Sequence, residues 1–491
     1  MLIHQKFKQD LLVHSYEHDC QWTSYDLEYM HKLKRWLKTQ LLQKFPDPQG
    51  MKFMIEHPNH LRKQIPLIMA IWELGGIIVV YDLHHALMSD PDYIEFNNSI
   101  DACLIETNDI KFNQLDKILC VFSQTGRLHE LQYWFDSDWA DDSTNDVVVA
   151  TDTDWALMVK TSGTTRAPDL VFYTHQQVLL AAEANHSHYK FLETDQVLHL
   201  KSFHHGGLCV NYLIPSLIHC RQHYFKLHET SDTFNHHAVN VTLEKPITRI
   251  LFPYEVGSEI IELLETNQSL SQDLTIHSTH NIPSIVNIDR LFATGQVSKF
   301  FSIFGCGELI SAFMLQEINK HQWAQLRDHW DCTVFYETPS DYWSYQQFET
   351  GLGVKSIDMA DFYVPGDMFE SVAPGAWRWS GRNTQIKRNG IIVNPSLIQA
   401  VLSKQIQQGT VIIVPDYKLK QIYAFLFNIN SDKTELDWLT EFNQTIKNTI
   451  DDYHSLDLVM TMSDSSMIAS GRQSLSVLRF LARKKIAQLS S

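Results

Sequence analysis

Between residues 51 and 340, short apolar runs of strand length alternate with longer segments of helical periodicity. That alternation restricts the fold more than any other feature of the chain. Residues 51–55 read as a strand, 59–74 as a helix stopped by Gly75-Gly76, and 77–81 as a buried strand. Further strands are expected at 102–106, 117–122, 156–159, 170–173, 196–200, 247–253, 299–304 and 333–336, with helices at 176–190, 206–218, 256–265 and 310–320. Strand and helix in alternation specify an α/β fold, a mostly parallel sheet covered by helices. Ahead of it, residues 26–44 are the best helix of the first fifty: Leu27, Met30, Leu33, Leu37 and Leu41 recur at three to four residues. The pattern changes near Gly381-Arg382. Strands at 391–393, 411–414, 422–428 and 457–462, with helices at 436–453 and 474–489, make a self-contained α+β unit. A large N-terminal domain of helix-covered mixed sheets, residues 1–381, and a small C-terminal domain, residues 382–491, are expected.

The loop between two of these strands is chemically distinctive. Thr161-Ser162-Gly163-Thr164-Thr165 sets four hydroxyls around one glycine, between an apolar strand ending at Val159 and a second beginning at Leu170. Such a turn presents hydroxyls and backbone N–H groups to a phosphate, and Gly163 lets the chain approach the anion closely. No Gly-Lys-Ser/Thr triplet follows, which excludes the P-loop. Taken alone, the same five residues also suit a solvated hairpin.

Composition narrows the function classes. A 44% hydrophobic and 20% charged chain is globular, and a net charge of −17 over 491 residues argues against general nucleic-acid binding. The seven cysteines, Cys20, Cys103, Cys120, Cys209, Cys220, Cys306 and Cys332, are scattered with no C-x-x-C pair, so reduced thiols in a cytoplasmic protein are expected. The first residues carry Lys, Asp and His where a signal peptide is apolar, and the apolar region 65–81 is too short and broken for a membrane span. The 25 histidines include the pairs His84-His85 and His236-His237. They show no H-E-x-x-H or comparable spacing, so a zinc hydrolase has little support.

Taken in order, the motifs resemble the adenylate-forming superfamily, which includes acyl-CoA synthetases, nonribosomal peptide adenylation domains and firefly luciferase. The stretch TSGTTRAPDLV from Thr161 to Val171 is similar to the family's T-S-G-T-T-G-x-P-K-G-V, with Arg166 and Leu170 in place of glycines and Asp169 in place of lysine. The resemblance implies that Thr161, Ser162, Gly163, Thr164 and Thr165 hold ATP phosphates, with Arg166 supplying the charge of the missing lysine. Phe203-His204-His205-Gly206-Gly207 resembles Phe-His-x-x-Gly, which places His204 at the carboxylate pocket and thiol tunnel. Residues 302–309, SIFGCGEL, resemble the adenine segment and imply that Gly305, Gly307 and Glu308 line the base. Tyr336, in Val334-Phe335-Tyr336-Glu337-Thr338-Pro339-Ser340-Asp341, takes the place of the stacking ring of Tyr-Gly-x-Thr-Glu. Ser340 and Asp341 would then replace its phosphate- and magnesium-binding pair if one residue is inserted. Tyr363-Val364-Pro365-Gly366-Asp367 resembles Tyr-x-Thr-Gly-Asp, whose Asp accepts from the ribose hydroxyls, and Arg382 matches the Gly-Arg of the domain junction. Gln385-Ile386-Lys387 resembles the segment that swings in for thioester formation, and Arg472 in Ala469-Ser470-Gly471-Arg472 stands where the family has its adenylating lysine. One residue fewer separates Arg382 from Lys387 than in the family, and Thr384 stands where its acidic hinge residue is expected.

The activity so implied is ligation. ATP and Mg2+ activate a small carboxylic acid as acyl-adenylate, a mobile C-terminal lid rotates, and the acyl group passes to CoA or to the phosphopantetheine of a free-standing carrier protein. The alternative is a non-catalytic relative that binds a nucleotide or acyl ligand or serves as a subunit of an assembly, since both motif lysines are replaced. The sequence does not name the acid.

Overall fold

The computed structural model describes residues 1–16, 22–56, 61–80, 100–106, 120–122, 148–160, 170–199, 209–225, 246–252, 261, 264–265, 273–279, 285–331, 333–348, 351–382, 386–388, 391–393, 395–406, 410–416, 419–427, 429, 431–450, 454–462 and 473–489. Strands β1 (Leu12–Tyr16) and β2 (Trp22–Asp26) lead into helix α1 (Leu27–Lys44). Asp26 caps α1 by accepting from the Tyr29 backbone N–H at 2.8 Å. Its apolar stripe Met30, Leu33, Leu37 and Leu41 is buried, as the periodicity requires. Then come β3 (Lys52–Glu56), α2 (Leu61–Glu73), β4 (Ile77–Val80), β5 (Ala102–Glu106), β6 (Cys120–Phe122), β7 (Trp155–Lys160) and β8 (Leu170–Thr174). The turn from α2 to β4 needs its two glycines. Gly75 has φ +78°, and a Cβ on Gly76 would meet Ile71 at 2.6 Å and Phe53 at 2.9 Å.

These strands form a six-stranded sheet in the order β6-β5-β3-β4-β7-β8. It is parallel except for the final β7–β8 hairpin. All four residues of β4 are buried, as in a strand covered on both faces. Helix α3 (His175–Tyr189) follows, started by a capping box between Thr174 and Gln177.

The larger sheet adds β9 (Gln196–His199), α4 (Ile214–His219), β10 (Gln222–Phe225), β11 (Arg249–Phe252), β12 (Leu274–Thr279), α5 (Ile285–Ala293), β13 (Val297–Gly305), β14 (Ala312–Asn319), α6 (Lys320–Leu326), β15 (Val334–Glu337), the hairpin β16 (Trp343–Phe348) and β17 (Gly351–Ser356), β18 (Asp367–Ala373) and β19 (Ala376–Arg382). Its order is β18-β19-β15-β14-β13-β12-β11-β9-β10-β1-β2, eleven strands, with β16 and β17 paired separately. The six strands from β13 to β1 are parallel, and the others are antiparallel additions.

One expected helix is corrected. Residues 310–320 are largely strand β14, paired antiparallel with β13 on one side and β15 on the other. Ile310, Phe313, Met314 and Ile318 fit a helical stripe as well as a buried strand, and pairing on both edges decides for the strand. The expected helix at 206–218 is described from Cys209. It begins as a π-turn, Cys209–Leu213, before α4. The expected helix at 256–265 lies mostly outside the described residues.

The last hundred residues carry β20 (Ile386–Arg388), β21 (Ile391–Val393), α7 (Pro395–Gln405), β22 (Thr410–Asp416), β23 (Gln421–Phe427), α8 (Glu435–Thr449), β24 (Leu458–Met462) and α9 (Gln473–Leu489). Strands β22, β23 and β24 form their own sheet. Its two apolar clusters draw only on residues from Val393 onward. Asp416, fully buried, accepts from Arg483 at 2.6 and 3.1 Å and so ties α9 to the sheet. No described helix is long and apolar enough to cross a membrane.

A buried ionic cluster joins the first helix to the six-stranded sheet. Glu73, at the end of α2, is 4% exposed and accepts from Lys34 at 2.5 Å and Lys38 at 2.8 Å, and its Oε1 lies 3.0 Å from His4 Nε2. Burial alone pushes the Glu73 carboxyl up. The hydrogen bonds from His4, Lys34 and Lys38 outweigh it and hold the group far below the usual carboxylate range. Glu73→Ala strands two buried ammonium groups. It is expected to cost about 3–5 kcal/mol in urea unfolding, and a loss under about 1 kcal/mol would contradict the cluster's structural role.

Many histidines are packed into this core as neutral rings. Burial holds His31, His219 and His223 at about 4, and His175 and His188 at about 3. Unfolded histidine takes a proton near 6.5. The unfolded chain therefore binds protons that the folded chain refuses. This stabilisation is complete above about pH 6.5 and declines as pH falls toward 4. Urea midpoints measured at pH 7, 6 and 5 should fall stepwise, and equal midpoints would contradict this reading.

Candidate functional site

Strands β9 to β13 end together on one edge of the larger sheet. The chain runs from β9 to β10 on one side and from β11 to β12 on the other, so the strand order reverses between β9 and β11. Open α/β sheets bind ligands outside the C-terminal ends of strands at such a point. Strand β9 ends at His199, and the segment that follows carries His204.

Strand β13 ends at Gly305 and gives way to a short turn, Gly307–Leu309, before β14 returns antiparallel. A Cβ on Gly305 would lie 3.0 Å from the Ser311 carbonyl oxygen and 3.1 Å from the Ala312 Cα, so the close backbone pairing there requires glycine. Ile310 closes the turn at φ 52°, ψ −32°. A β-branched residue at positive φ is strained by roughly 1–3 kcal/mol and persists only where its surroundings hold it.

Two side chains from other elements hold this turn. The Tyr173 hydroxyl, on β8, donates to the Gly307 carbonyl and accepts from the Ile310 N–H at 3.0 Å. Tyr173 is buried, and burial pushes its phenol well above its ordinary range, so it stays a neutral donor. Asn211, in the π-turn, accepts from the Ala312 N–H at 2.7 Å. Ser311 Oγ lies 2.8 Å from Asn185 Oδ1 and 3.1 Å from Asn211 Oδ1 and donates to one of them at a time. The Asn185 amide in turn donates to the Val210 carbonyl at 3.2 Å. The turn is thus fixed to the strand leaving the hydroxyl-rich loop and to the helix that follows His204.

A second cluster surrounds Asp367. It opens β18 opposite Arg382, its register partner on β19, and is 2% exposed. Trp379 Nε1 donates to Asp367 Oδ1 at 3.1 Å. The Trp379 ring lies 6.3 Å from Phe304, which also packs on Phe369 at 5.1 Å, Phe335 at 5.4 Å and Phe313 at 5.8 Å. Phe304 is only partly buried and immediately precedes Gly305.

Tyr336 is 55% exposed, and its neighbour Phe335 is 2% exposed. Side chains alternate along a strand, so Tyr336 points to the face opposite Phe335 and away from the rings around Asp367. Phe304 packs on Trp379, the ring whose indole N–H donates to Asp367. Asp341 is exposed on the bend after β15. Thr338 and Tyr342 are the buried residues of that bend, and the Thr338 N–H and hydroxyl each lie 3.2 Å from the Tyr345 hydroxyl. Glu308 lies within the turn that Tyr173 holds. Sequence reading passed over Phe304 and Tyr173 because each is one more aromatic residue in an apolar strand.

Of the other expected site residues, Arg382 ends β19 and Lys387 lies in β20, each placed by its backbone alone. Thr161, Ser162, Gly163, Thr164, Thr165, Arg166, His204 and Arg472 lie outside the described residues. The strands that flank the 161–169 loop are described: Lys160 pairs with Leu170 across it, and Tyr173 follows three residues later. Among the described residues no group of three His, Cys, Asp or Glu is arranged to hold a metal ion. Cys209, Cys220 and Cys306 form no disulfide, and burial pushes Cys209 and Cys220 up, away from reactivity.

No protein-family model matches the chain, and no curated protein matches it. Solved structures do. The structure of McyG A-PCP complexed with phenylalanyl-adenylate is 12% identical with a TM-score of 0.67, covering 98% of this chain and 82% of the other. A fatty acyl CoA synthetase of Mycobacterium tuberculosis is 13% identical with a TM-score of 0.65, over 97% of this chain and 99% of its own. ATP-bound MatB from Rhodopseudomonas palustris is 14% identical with a TM-score of 0.59, over 94% and 95%. Alignment over nearly the whole length gives this chain the fold of the adenylate-forming enzymes.

Proposed function

We propose that the chain is an ATP-dependent ligase that activates a small carboxylic acid as its acyl-adenylate and passes the acyl group to a thiol. The observation that carries this reading is the hydrogen bonding of Tyr173. It ties the strand leaving the hydroxyl-rich loop to the glycine turn after Phe304, and Phe304 in turn lies beside Asp367 through Trp379. In this reading one mononucleotide spans the phosphate, base and ribose sites. The three solved structures named above, bound to an adenylate or ATP or named as acyl-CoA synthetase, support the same reading.

The base-stacking ring in this proposal is Phe304, and Phe304-Gly305-Cys306-Gly307-Glu308 takes the place of Tyr-Gly-x-Thr-Glu. Glu308 accordingly replaces Asp341 as the acidic residue facing the phosphates. A magnesium ion bound through one carboxylate and the nucleotide's own phosphates needs no larger cage of protein ligands, and it would neutralise phosphate charge.

The hydroxyls of 161–165 hold the outer phosphates, and Asp367 accepts from the ribose hydroxyls. Arg472 orients the carboxylate and the α-phosphate. A carboxylate oxygen attacks the α-phosphorus, the bond to the bridging oxygen breaks, and pyrophosphate leaves with the electron pair. Catalysis there is positioning and electrostatics. Residues 382–491 then rotate as a lid, withdraw Arg472 and bring in Lys387. The thiol of CoA, or of a phosphopantetheine on a separate carrier protein, enters past His204 and attacks the acyl carbon. AMP leaves, and the thiol proton passes to solvent.

Two substitutions test the assignment through acid-dependent exchange of pyrophosphate into ATP. Asp367→Asn should raise the KM for ATP roughly tenfold, with melting temperature little changed. Arg472→Ala should lower exchange by about a hundredfold with KM for ATP nearly unchanged. ATP binding by the wild type without exchange for any acid in a broad panel would overturn the ligase and leave a nucleotide-binding relative.

A further inference from the structure

The turn at residues 307–310 has a conformation its own sequence does not favour. Ile310 sits at φ 52°, where a branched side chain is strained, and the backbone N–H groups of Leu309 and Ser311 donate locally, to Cys306 and Leu309. Two long-range side chains supply what the turn lacks. Tyr173 bridges its carbonyl at Gly307 and its N–H at Ile310 across 134 and 137 residues of sequence, and Asn211 takes the Ala312 N–H from the opposite side.

We propose that Tyr173 is a positioning residue: its hydroxyl presets the 307–310 turn against the β7–β8 hairpin, fixing the base seat to that hairpin before the nucleotide arrives. This rests on the nucleotide-binding reading above. Tyr173 follows Leu170 by three residues, and Leu170 pairs with Lys160 across the loop. Any shift of the β7–β8 hairpin relative to the turn must therefore break one of the two Tyr173 hydrogen bonds or bend β8. The bond to Gly307 and the bond from Ile310 bracket Glu308 and Leu309, so the direction of the Glu308 side chain is set by the same hydroxyl. Asn211 adds the helix after His204 to this arrangement.

The first test needs no variant. In hydrogen exchange on the free wild-type protein, the Ile310 amide should be among the slow amides of the chain, because its acceptor is a buried side chain rather than water. Exchange at the rate of an open loop would overturn the inference. The second compares wild type, Tyr173→Phe and a control, Tyr224→Phe, which removes a hydroxyl bonded to Gln196 and Gln222 on the larger sheet. By isothermal titration with MgATP, Tyr173→Phe should raise the dissociation constant about tenfold and Tyr224→Phe should leave it within twofold. Tyr173→Phe should also speed Ile310 exchange at least tenfold while leaving amides of β22 and β23 unchanged. Equal ATP affinity of wild type and Tyr173→Phe would overturn the positioning role and leave the ligase reading standing. A wild type that binds no ATP would overturn the ligase reading and this inference with it.

Discussion

A phenol hydroxyl buried between two sheets sets the geometry on which the rest of this molecule depends. Tyr173 comes from the edge strand of the six-stranded sheet, and Gly307 and Ile310 come from the turn at the end of a parallel strand in the eleven-stranded sheet. A buried hydrogen bond contributes modestly in itself, but leaving its partners unmade costs more. The bond therefore acts as a constraint rather than as a large source of stability. The turn it holds is strained, which is the usual signature of a backbone kept for what it does rather than for how it folds.

Stability comes from elsewhere. Helices α1 and α2 and the N-terminal segment meet over Glu73, where one carboxylate faces two buried lysines and a histidine. Such a cluster is costly to bury and costlier to break, so it fixes how α1 lies on the sheet more than it stabilises the sheet. The neutral histidines of the larger sheet behave similarly: His199 Nε2 lies 3.0 Å from His223 Nδ1 inside the core, where burial lowers both. The described histidines His188, His199, His223 and His277 are packed in the core.

How far the sequence disclosed this arrangement depended on whether local pattern and tertiary pairing agreed. Helix α1 and strands β4 and β7 were legible because stripe, cap and glycine stop all pointed one way. Strand β14 was not, since Ile310, Phe313, Met314 and Ile318 satisfy a helix as well as a strand, and only pairing with β13 and β15 separates the two. The hairpin β16–β17 was not among the expected strands: its alternation, Trp343 and Tyr345 with Ser344 and Gln346 and then Leu352 and Val354 with glycines, is short and rich in Gln and Gly. Asp367 and Arg382 were expected to share a site, and they are register partners on neighbouring strands. Tyr336 was expected to join them, but which face of β15 it occupies is decided by Phe335 packing inward. Tyr173 gave no signal, because a tyrosine in an apolar strand reads as core until its hydroxyl is seen to have partners.

One mononucleotide is proposed to touch the 161–165 hydroxyls, Phe304 and Asp367 at once. A crystal structure of the full chain soaked with a non-hydrolysable ATP analogue tests it most directly. Adenine should lie against Phe304, the ribose hydroxyls on the Asp367 carboxylate, and the phosphates on the hydroxyl-rich loop. A bound nucleotide whose ribose lies away from Asp367, or whose phosphates point away from residues 161–165, would contradict it.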